Sequence, residues 1–553
     1  MIDLIKKYPF AAVGLWGAIL FIPFLGAVHL FDWDEINFAE SAREMLVTGN
    51  FMQVQINYMP FIEKPPLFFW LQAISMKIFG VGEYAARLPN AVIGIIALLS
   101  VFYIAKKHYS KKVAFLWVMF ITGSFTPHLY YKSGIIDPLY NLLIFASIYQ
   151  FYCYIINTSK IKHCILLGFF LGLAVITKGP VAILIVLLCF LVYWVMQKMQ
   201  MFFSWKHVFL VAFVCFIVSF AWFGAETIKN GPTFIVEFVK YQIDLFLNPV
   251  AGHGQPFWYH AVVLLFGAFP ASVIAMPLLV KKIHSFNNEK ALFLRFMQIL
   301  FWVTFILFSI VETKIVHYSS LCYLPLTFLA AVYTVNLFEN GRNLKKWQIV
   351  ATAFIGILLG ILFSVVTLVD ILKADLIPHI DDEFAVGNLS VDGGWRGYEI
   401  FCGLFLLSTI IVSLVQFIKK KLLTGLLLML LSISLFIPVF LRIVVPHIET
   451  YSQRSAIEFY KQLQGQNCYV ATVGFKSYAQ YFYARVMPQQ NPNVQNMQWL
   501  LNDSIDKPAY FVLKEGSIKD HINPTMEELY RKGGFVFFKR NIGVKFNPEQ
   551  TEQ

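Results

Sequence analysis

Charge is what this chain has least of. Only 14% of its 553 residues are Asp, Glu, Lys or Arg, while 58% are hydrophobic. So little charge cannot cover a globular surface with polar groups, which excludes a soluble protein and implies a polytopic membrane protein. Paired cysteine motifs are missing too. Cys153, Cys164, Cys189, Cys215, Cys322 and Cys402 lie in or beside apolar runs, and Cys468 stands alone in a polar tail. Without a CxxC or metal-type spacing, neither a disulfide framework nor a zinc finger is expected. No small-residue cleavage site follows the first apolar run, which begins after Lys6 and Lys7 and reads as an uncleaved first span. The net charge is +12, yet the lysines are scattered through short loops between apolar runs, which is a membrane pattern and not a nucleic-acid footprint.

Long apolar runs are what the chain does have. A span needs about 20 such residues, and runs of this kind fall near 9–30, 85–105, 113–131, 138–157, 162–177, 180–197, 206–226, 257–280, 292–310, 316–338, 347–370, 398–418 and 422–445. With the N-terminus placed in the cytoplasm, every inside segment is basic: Lys6/Lys7, Lys106/Lys107/Lys111/Lys112, Lys160/Lys162, Lys198/Lys206, Lys281/Lys282/Lys290, Arg342/Lys345/Lys346 and Lys419/Lys420/Lys421. The outside loops near 32–44, 226–244 and 375–383 are acidic or mixed. The positive-inside rule is met at each crossing, and the odd number of spans puts the C-terminus outside. The chain therefore reads as a multi-pass protein of a bacterial inner membrane.

Two apolar stretches do not read as spans. Residues 67–79 are too short, and counting them would invert the charge alternation. Residues 231–247 carry Glu237, Lys240 and Asp244 on one helical face and Phe234, Phe238, Tyr241 and Leu245 on another, the pattern of an interfacial helix. Residues 36–47 read the same way, so the outer loops near 32–80 and 231–247 are expected to form juxtamembrane helices. The composition turns polar from about Pro446. Segments 469–475, 509–514 and 535–539 read as strands, and 455–463 and 525–531 as helices. The expected organisation is an all-α membrane domain over 1–445 and a small α/β extracytoplasmic domain over 446–553.

The chemistry-bearing motifs cluster on the outer side. Phe31-Asp-Trp-Asp-Glu35 follows the first span directly. Asp34 and Glu35 read either as interfacial acids at a helix N-terminus or as catalytic carboxylates, since a membrane wall is a place where burial tunes a carboxyl. In Glu63-Lys-Pro-Pro66 the double proline fixes a turn and starts a helix, holding Lys64 at head-group level. Lys64 is then a snorkelling lysine or a clamp on a lipid phosphate. Asp137-Pro138 fits a helix start as well as a functional acid. Lys178 in Thr177-Lys-Gly-Pro180 is an interfacial lysine or a second phosphate ligand. Lys314 and His317 open another outer loop in reach of a head group. Glu63, His253 and His260 could hold zinc, although a spacing of seven between the histidines is not diagnostic.

Together these residues resemble the polyprenyl-phosphate-dependent glycosyltransferases of the type-C fold, on the branch that joins lipid A aminoarabinose transferases and protein O-mannosyltransferases. The family's Asp-Glu-x-Arg-Tyr-Ala-Glu run looks like Asp34-Glu-Ile-Asn-Phe-Ala-Glu40, and its Glu-Lys-Pro-Pro run is Glu63–Pro66. Ala86-Arg-Leu-Pro89, Asp137 and 177–180 also match. Departures are Asn37-Phe38 in place of Arg-Tyr, and Lys314-Ile-Val-His-Tyr318 in place of Lys-Leu-Pro-x-Tyr.

The resemblance implies a polyprenyl-phosphate-linked sugar donor and an extracytoplasmic acceptor, a lipid such as lipid A or a protein. It implies Asp34 as the residue that orients or deprotonates the acceptor, with Glu35 and Asp137 beside it. It implies Lys64 on the donor phosphate, helped by Arg87, Lys178, Lys314, His317 and Tyr318. No cofactor is required on this reading, because the donor carries no nucleotide diphosphate for a divalent ion to neutralise. A transporter is the rival class. Transporters place ionisable residues near the bilayer midplane, whereas these spans are nearly free of them.

Overall fold

The computed structural model describes residues 7–157, 159–248, 254–281, 288–518 and 521–546. Each of the apolar runs contains a helix, but the helices are not equally long, and residues 22–30 of the first run are not helical. Nine helices are long and apolar enough to cross a membrane, by length and composition, among the described residues. The remaining runs are shorter: Pro9–Phe21 and Val181–Met196 are single short helices, 113–131 is split between Lys111–Thr122 and Phe125–Tyr130, and 257–280 is split between Tyr259–Gly267 and Ala271–Val280. The breaks fall at Gly123-Ser124 and at Ala268-Phe-Pro270, where glycine and proline interrupt the helical ladder.

Close packing in the bundle rests on small residues, because apolar side chains gain nothing by leaving lipid for protein. Gly168 and Gly172, one turn apart on Lys160–Lys178, face Trp205–Asn230. A Cβ at Gly168 would lie 2.7 Å from the Val211 carbonyl oxygen, and one at Gly172 would lie 2.6 Å from Val218 Cβ.

The short segments excluded as spans are helices at one end of the bundle: Asp34–Thr48, Leu67–Phe79 and Thr233–Leu247. Thr233–Leu247 buries Phe234 and Phe238 against Ile176 and Trp222, with Met52, Ile62 and Trp70 packed around them. Trp222 donates its indole N–H to the Met52 carbonyl at 2.9 Å, and Trp70 donates to Phe51 at 2.7 Å. These two bonds fix the loop that leads into Glu63-Lys-Pro-Pro66.

Beyond helix Leu422–Ile443 the chain forms a four-stranded sheet in the order β1-β2-β4-β3: β1 (Tyr469–Val473) is parallel to β2 (Ala509–Lys514), and β4 (Phe535–Arg540) runs antiparallel to both β2 and β3 (Met526–Lys532). Helix Arg454–Gln462 and strands β1, β2 and β4 fall on the expected segments. Segment 525–531 is a strand and not a helix. Gly533 and Gly534, with φ of +60° and +69°, make a two-residue hairpin turn that pairs Lys532 with Phe535. The turn and the edge position outweigh the helix propensity of Glu-Glu-Leu.

One face of this sheet unit packs on a core of its own, which includes Tyr469, Leu500, Phe511, Val536 and Phe538; the other face is shared with the membrane half. Ile457, Tyr460, Phe482 and Phe537 share one buried cluster with Leu30, Ile36, Ala42, Met76 and Ala86 from the 30–86 region.

Candidate functional site

Two cavities open at the end of the bundle that carries the short helices, and the turn Val316–Cys322 stands between them. The first is small, about 80 Å³, the volume of two or three waters at ~30 Å³ each. Its polar lining is Lys64, Asp137, Asn141, Lys178, Gln242 and Tyr318.

Lys178 pairs with Asp137 Oδ1 at 2.5 Å, and the other carboxylate oxygen, Oδ2, is buried without a hydrogen-bond partner. The Lys178 ammonium also sits 5.3 Å from the Tyr318 ring centre. The backbone after Lys178 turns at Gly179, whose φ of +117° and close approach to the Phe238 ring (a Cβ would lie 2.8 Å from it) exclude a side chain. Lys64 projects from the double-proline turn to within 5.5 Å of the Tyr241 ring centre and 4.0 Å of Glu63. Burial pushes the Lys64 ammonium below the ordinary lysine range, opposed by Glu63 and reinforced by Lys178; Asp34 and Asp137 add smaller opposing fields. Lys64, Lys178, Asp34 and Asp137 therefore share one electrostatic neighbourhood. The walls are mainly apolar, Leu184, Leu245, Leu307 and Phe308 among them, and the two ammonium groups and tyrosine hydroxyl give the cavity the charge to receive a phosphate.

The second cavity is larger, about 380 Å³, and its lining includes Asp32, Trp33, Asp34, Tyr130, Lys132 and His317. Asp34 opens helix Asp34–Thr48, where the backbone dipole favours a carboxylate. Its Oδ2 lies 3.7 Å from His317 Nε2.

Several expected site residues are placed differently from their expected roles. Glu35 and Arg87 are a buried pair and not free catalytic groups. Arg87 spends its five N–H donors on Glu35 Oε1 and Oε2 (2.9 and 2.7 Å) and on the carbonyls of Leu25, Val28 and His29. None is left for a phosphate. Glu35 also accepts from the backbone N–H groups of Phe31 and Gly134. Its carboxyl is held below the ordinary glutamate range, with Arg87 overcoming the cost of burial. The pair locks the 24–35 loop onto helix Glu83–His108. His317 lines the Asp34 cavity and not the Lys64 cavity, which Tyr318 lines instead. Lys314 is buried and lines neither. The zinc set is not assembled among the described residues, which hold no group of three metal-type ligands. His253 lies outside them, Glu63 sits beside Lys64, and His260 is fully buried.

Sequence reasoning missed Lys132, Tyr130, Asn141 and Gln242. Lys132 caps the first helix by donating to the carbonyls of Leu20, Phe21 and Pro23, and burial pushes it down to about 7. Its signal was a lone lysine in an otherwise apolar outer loop.

The architecture is that of the type-C glycosyltransferases. Over 97% of this chain and 98% of the other, the fold matches ArnT from Cupriavidus metallidurans bound to undecaprenyl phosphate, with a TM-score of 0.76 and 17% identity. The Archaeoglobus fulgidus oligosaccharyltransferase in its apo form matches with a TM-score of 0.52 and 13% identity, over 93% of this chain and 70% of that one.

In sequence, residues 63–222 match the family described as dolichyl-phosphate-mannose-protein mannosyltransferase. The undecaprenyl phosphate-alpha-4-amino-4-deoxy-L-arabinose arabinosyl transferase of Shewanella sediminis is 26% identical over 350 residues, 63% of each chain. The enzyme of the same name from Enterobacter sp. (strain 638) is 29% identical over 340 residues, 59% of each. The chain spans about three fifths of the length of these curated relatives.

Proposed function

We propose that this chain is an integral-membrane glycosyltransferase that moves a sugar from undecaprenyl phosphate to an acceptor at the extracytoplasmic face, the acceptor being a lipid of the lipid A class. The N-terminus is then cytoplasmic, and the sheet unit that follows residue 445 is extracytoplasmic. The observation that carries this reading is the convergence of Lys64, Lys178 and Tyr318 on a phosphate-sized cavity next to the one that holds Asp34. The sugar for which the similar arabinosyl transferases are named supports aminoarabinose as the transferred group.

The chemistry follows from charge. The donor phosphate is a diester with about one negative charge. When the bond between the anomeric carbon and the phosphate oxygen breaks, the leaving monoester gathers a second charge. Fixed ammonium groups at that oxygen therefore favour the transition state over the ground state. Lys64 meets the growing charge, and Lys178, held by Asp137, supports it. A hydroxyl acceptor gives its proton to Asp34 as its oxygen bonds to the anomeric carbon; an ionised phosphate acceptor is oriented by Asp34 and gives up no proton. Two lysines suffice for a diester, so the reaction so written has no step that calls for a divalent ion.

The test is transfer of aminoarabinose from undecaprenyl phosphate to lipid A by purified protein in mixed micelles, followed by mass spectrometry. Wild-type protein is expected to transfer. Asp34→Asn is expected to lose at least 10²-fold in rate, on the order of one general-base contribution, while binding undecaprenyl phosphate as before. Full turnover by Asp34→Asn would remove Asp34 from the reaction. A second reading is favoured by the match of residues 63–222 to the protein mannosyltransferase family: the acceptor is then a protein hydroxyl, and glycopeptide appears in place of modified lipid A.

A further inference from the structure

The residue at 317 occupies the variable position of the motif that this turn resembles, and it lies on the other side of the turn from its neighbour. Tyr318 lines the small cavity with Lys64 and Lys178; His317 lines the larger one with Asp34. The imidazole is held at one nitrogen and faces a carboxylate with the other. Nδ1 lies 2.9 Å from the Tyr130 hydroxyl, and Nε2 lies 3.7 Å from Asp34 Oδ2. The Tyr130 and His317 rings meet edge to face with centres 5.4 Å apart, and Tyr130 meets Tyr323 in the same way at 5.6 Å. Tyr130 is buried, so the ring that fixes the imidazole is itself fixed by packing.

From this geometry we propose that His317 is the positioning residue for Asp34. Tyr130 donates its hydroxyl proton to Nδ1, which leaves the proton of the neutral imidazole on Nε2, facing the carboxylate. That N–H faces Oδ2 across 3.7 Å, closes on it when the acceptor arrives, and leaves Oδ1 to the acceptor. Asp34 needs such a partner because its side chain is 35% exposed at a helix start, and no other basic side chain lies within 4.0 Å of its carboxylate among the described residues. In the transfer step the acceptor oxygen bonds to the anomeric carbon, the bond from that carbon to the phosphate oxygen breaks, and the leaving monoester keeps the electron pair. The proton of a hydroxyl acceptor passes to Asp34 Oδ1, and His317 keeps its own. Because His317 and Tyr318 are consecutive on one turn, the carboxylate on the acceptor side and the hydroxyl on the phosphate side are set by the same piece of backbone.

This inference rests on the transfer reaction proposed above, and its test separates the two. In the micelle assay, kcat and KM for the undecaprenyl-linked donor are measured for wild type, His317→Ala, His317→Gln and Tyr130→Phe, with undecaprenyl phosphate binding and the thermal midpoint recorded for each. His317→Ala is expected to lower kcat by about 10- to 100-fold, the usual cost of removing the partner of a reacting group, with donor KM unchanged. His317→Gln, whose amide N–H reaches the Nε2 position, is expected to recover most of that loss. Tyr130→Phe is expected to fall between. Wild-type transfer with kcat unaltered in His317→Ala would overturn the role of His317 alone, as would a donor KM that rises while kcat holds, which would return His317 to the phosphate side. Wild-type protein that binds undecaprenyl phosphate but transfers nothing would overturn the reaction, and the positioning role with it.

Discussion

At the residue scale, lysines that look alike in the sequence have different fates. Lys64 is held below the ordinary lysine range by burial, so its positive charge is present at low and neutral pH and is lost as pH rises through that lowered value. Donor use is expected to fall on the alkaline side earlier than an ordinary lysine would allow. Lys64→Arg is expected to push that alkaline limb upward by keeping the charge. Lys64→Ala is expected to lower kcat/KM by about 10²- to 10³-fold. A pH profile of kcat/KM for the three proteins checks both statements, and an alkaline limb that stays in place in Lys64→Arg would detach it from this residue.

Glu44 behaves in the opposite sense. It is fully buried, its Oε1 has no partner, and Arg43 beside it is committed to Glu40 at 2.6 and 2.7 Å. Burial and then the Glu40 charge push its carboxyl up from 4.5 to about 9. The folded protein holds that proton more tightly than the unfolded chain, so stability is full below about 4.5 and declines as pH rises toward 9. Glu44→Gln is expected to remove this decline, which has a limiting slope of about 1.4 kcal/mol per pH unit. Thermal midpoints in detergent from pH 5 to 9 measure it, and parallel curves for the two proteins would refute it. Lys64 and Lys178 were legible because turn-forming prolines and glycine mark where they stand, and Asp34 because it lies in an acidic cluster directly after the first apolar run. The Glu35–Arg87 pair was not, since its other partners are carbonyls of an irregular loop, and nothing in residue identity announces a carbonyl.

At the scale of elements, periodicity located the helices but not their lengths. The runs near 113–131 and 257–280 are apolar enough to read as single spans, and their internal glycine, proline and polar residues such as Thr122, Ser124 and His128 mark that each is two helices. The helix Thr233–Leu247 was legible from its alternation of charge and aromatics, yet its consequence was not. It carries Tyr241 and Gln242 to the small cavity, and it is held there by Phe238, which packs on Phe223 and Phe234 with ring centres 5.9 and 5.7 Å away and leaves room only for glycine at 179. Phe238→Ala removes a fully buried ring, a loss of about 3–5 kcal/mol in a protein core. Here the helix lies at the edge of the bundle, so the loss is expected as undocking of this one element. Donor KM should rise about tenfold or more while the thermal midpoint of the bundle moves little. A large fall in the midpoint with donor KM unchanged would show that the helix is part of the main core and not a support for Lys64.

At the scale of the whole molecule, the polar composition after residue 445 suggested a separate domain, and hydropathy could suggest nothing else, since it reports where polar residues are and not what they touch. The sheet unit keeps a core of its own on one face, and on the other it is built into the membrane half. Leu30 donates its backbone N–H to the Tyr483 hydroxyl at 2.7 Å, and Gln453 returns a bond to the Leu30 carbonyl at 2.8 Å. His29 Nδ1 meets Glu449 Oε1 at 2.6 Å, and Arg43 and Tyr58 both donate to the Val486 carbonyl at 2.7 Å. Around these bonds the apolar faces of helices Asp34–Thr48 and Arg454–Gln462 close into one buried cluster. The loop that ends at Asp34 is thus gripped by the Arg87–Glu35 pair on one side and by the sheet unit on the other. Removing residues 446–553 would bare Leu30, Ile36, Ala42 and Ala86 together and free the loop on that side. The truncated protein is expected to lose transfer and to aggregate in detergent, and Tyr483→Phe, which deletes only the hydroxyl that Leu30 uses, to cost about 1 kcal/mol and to leave the fold intact. Size-exclusion profiles and transfer assays on both proteins decide the matter: a truncated chain that stays monodisperse and active would mean that Asp34 is positioned by the membrane helices alone.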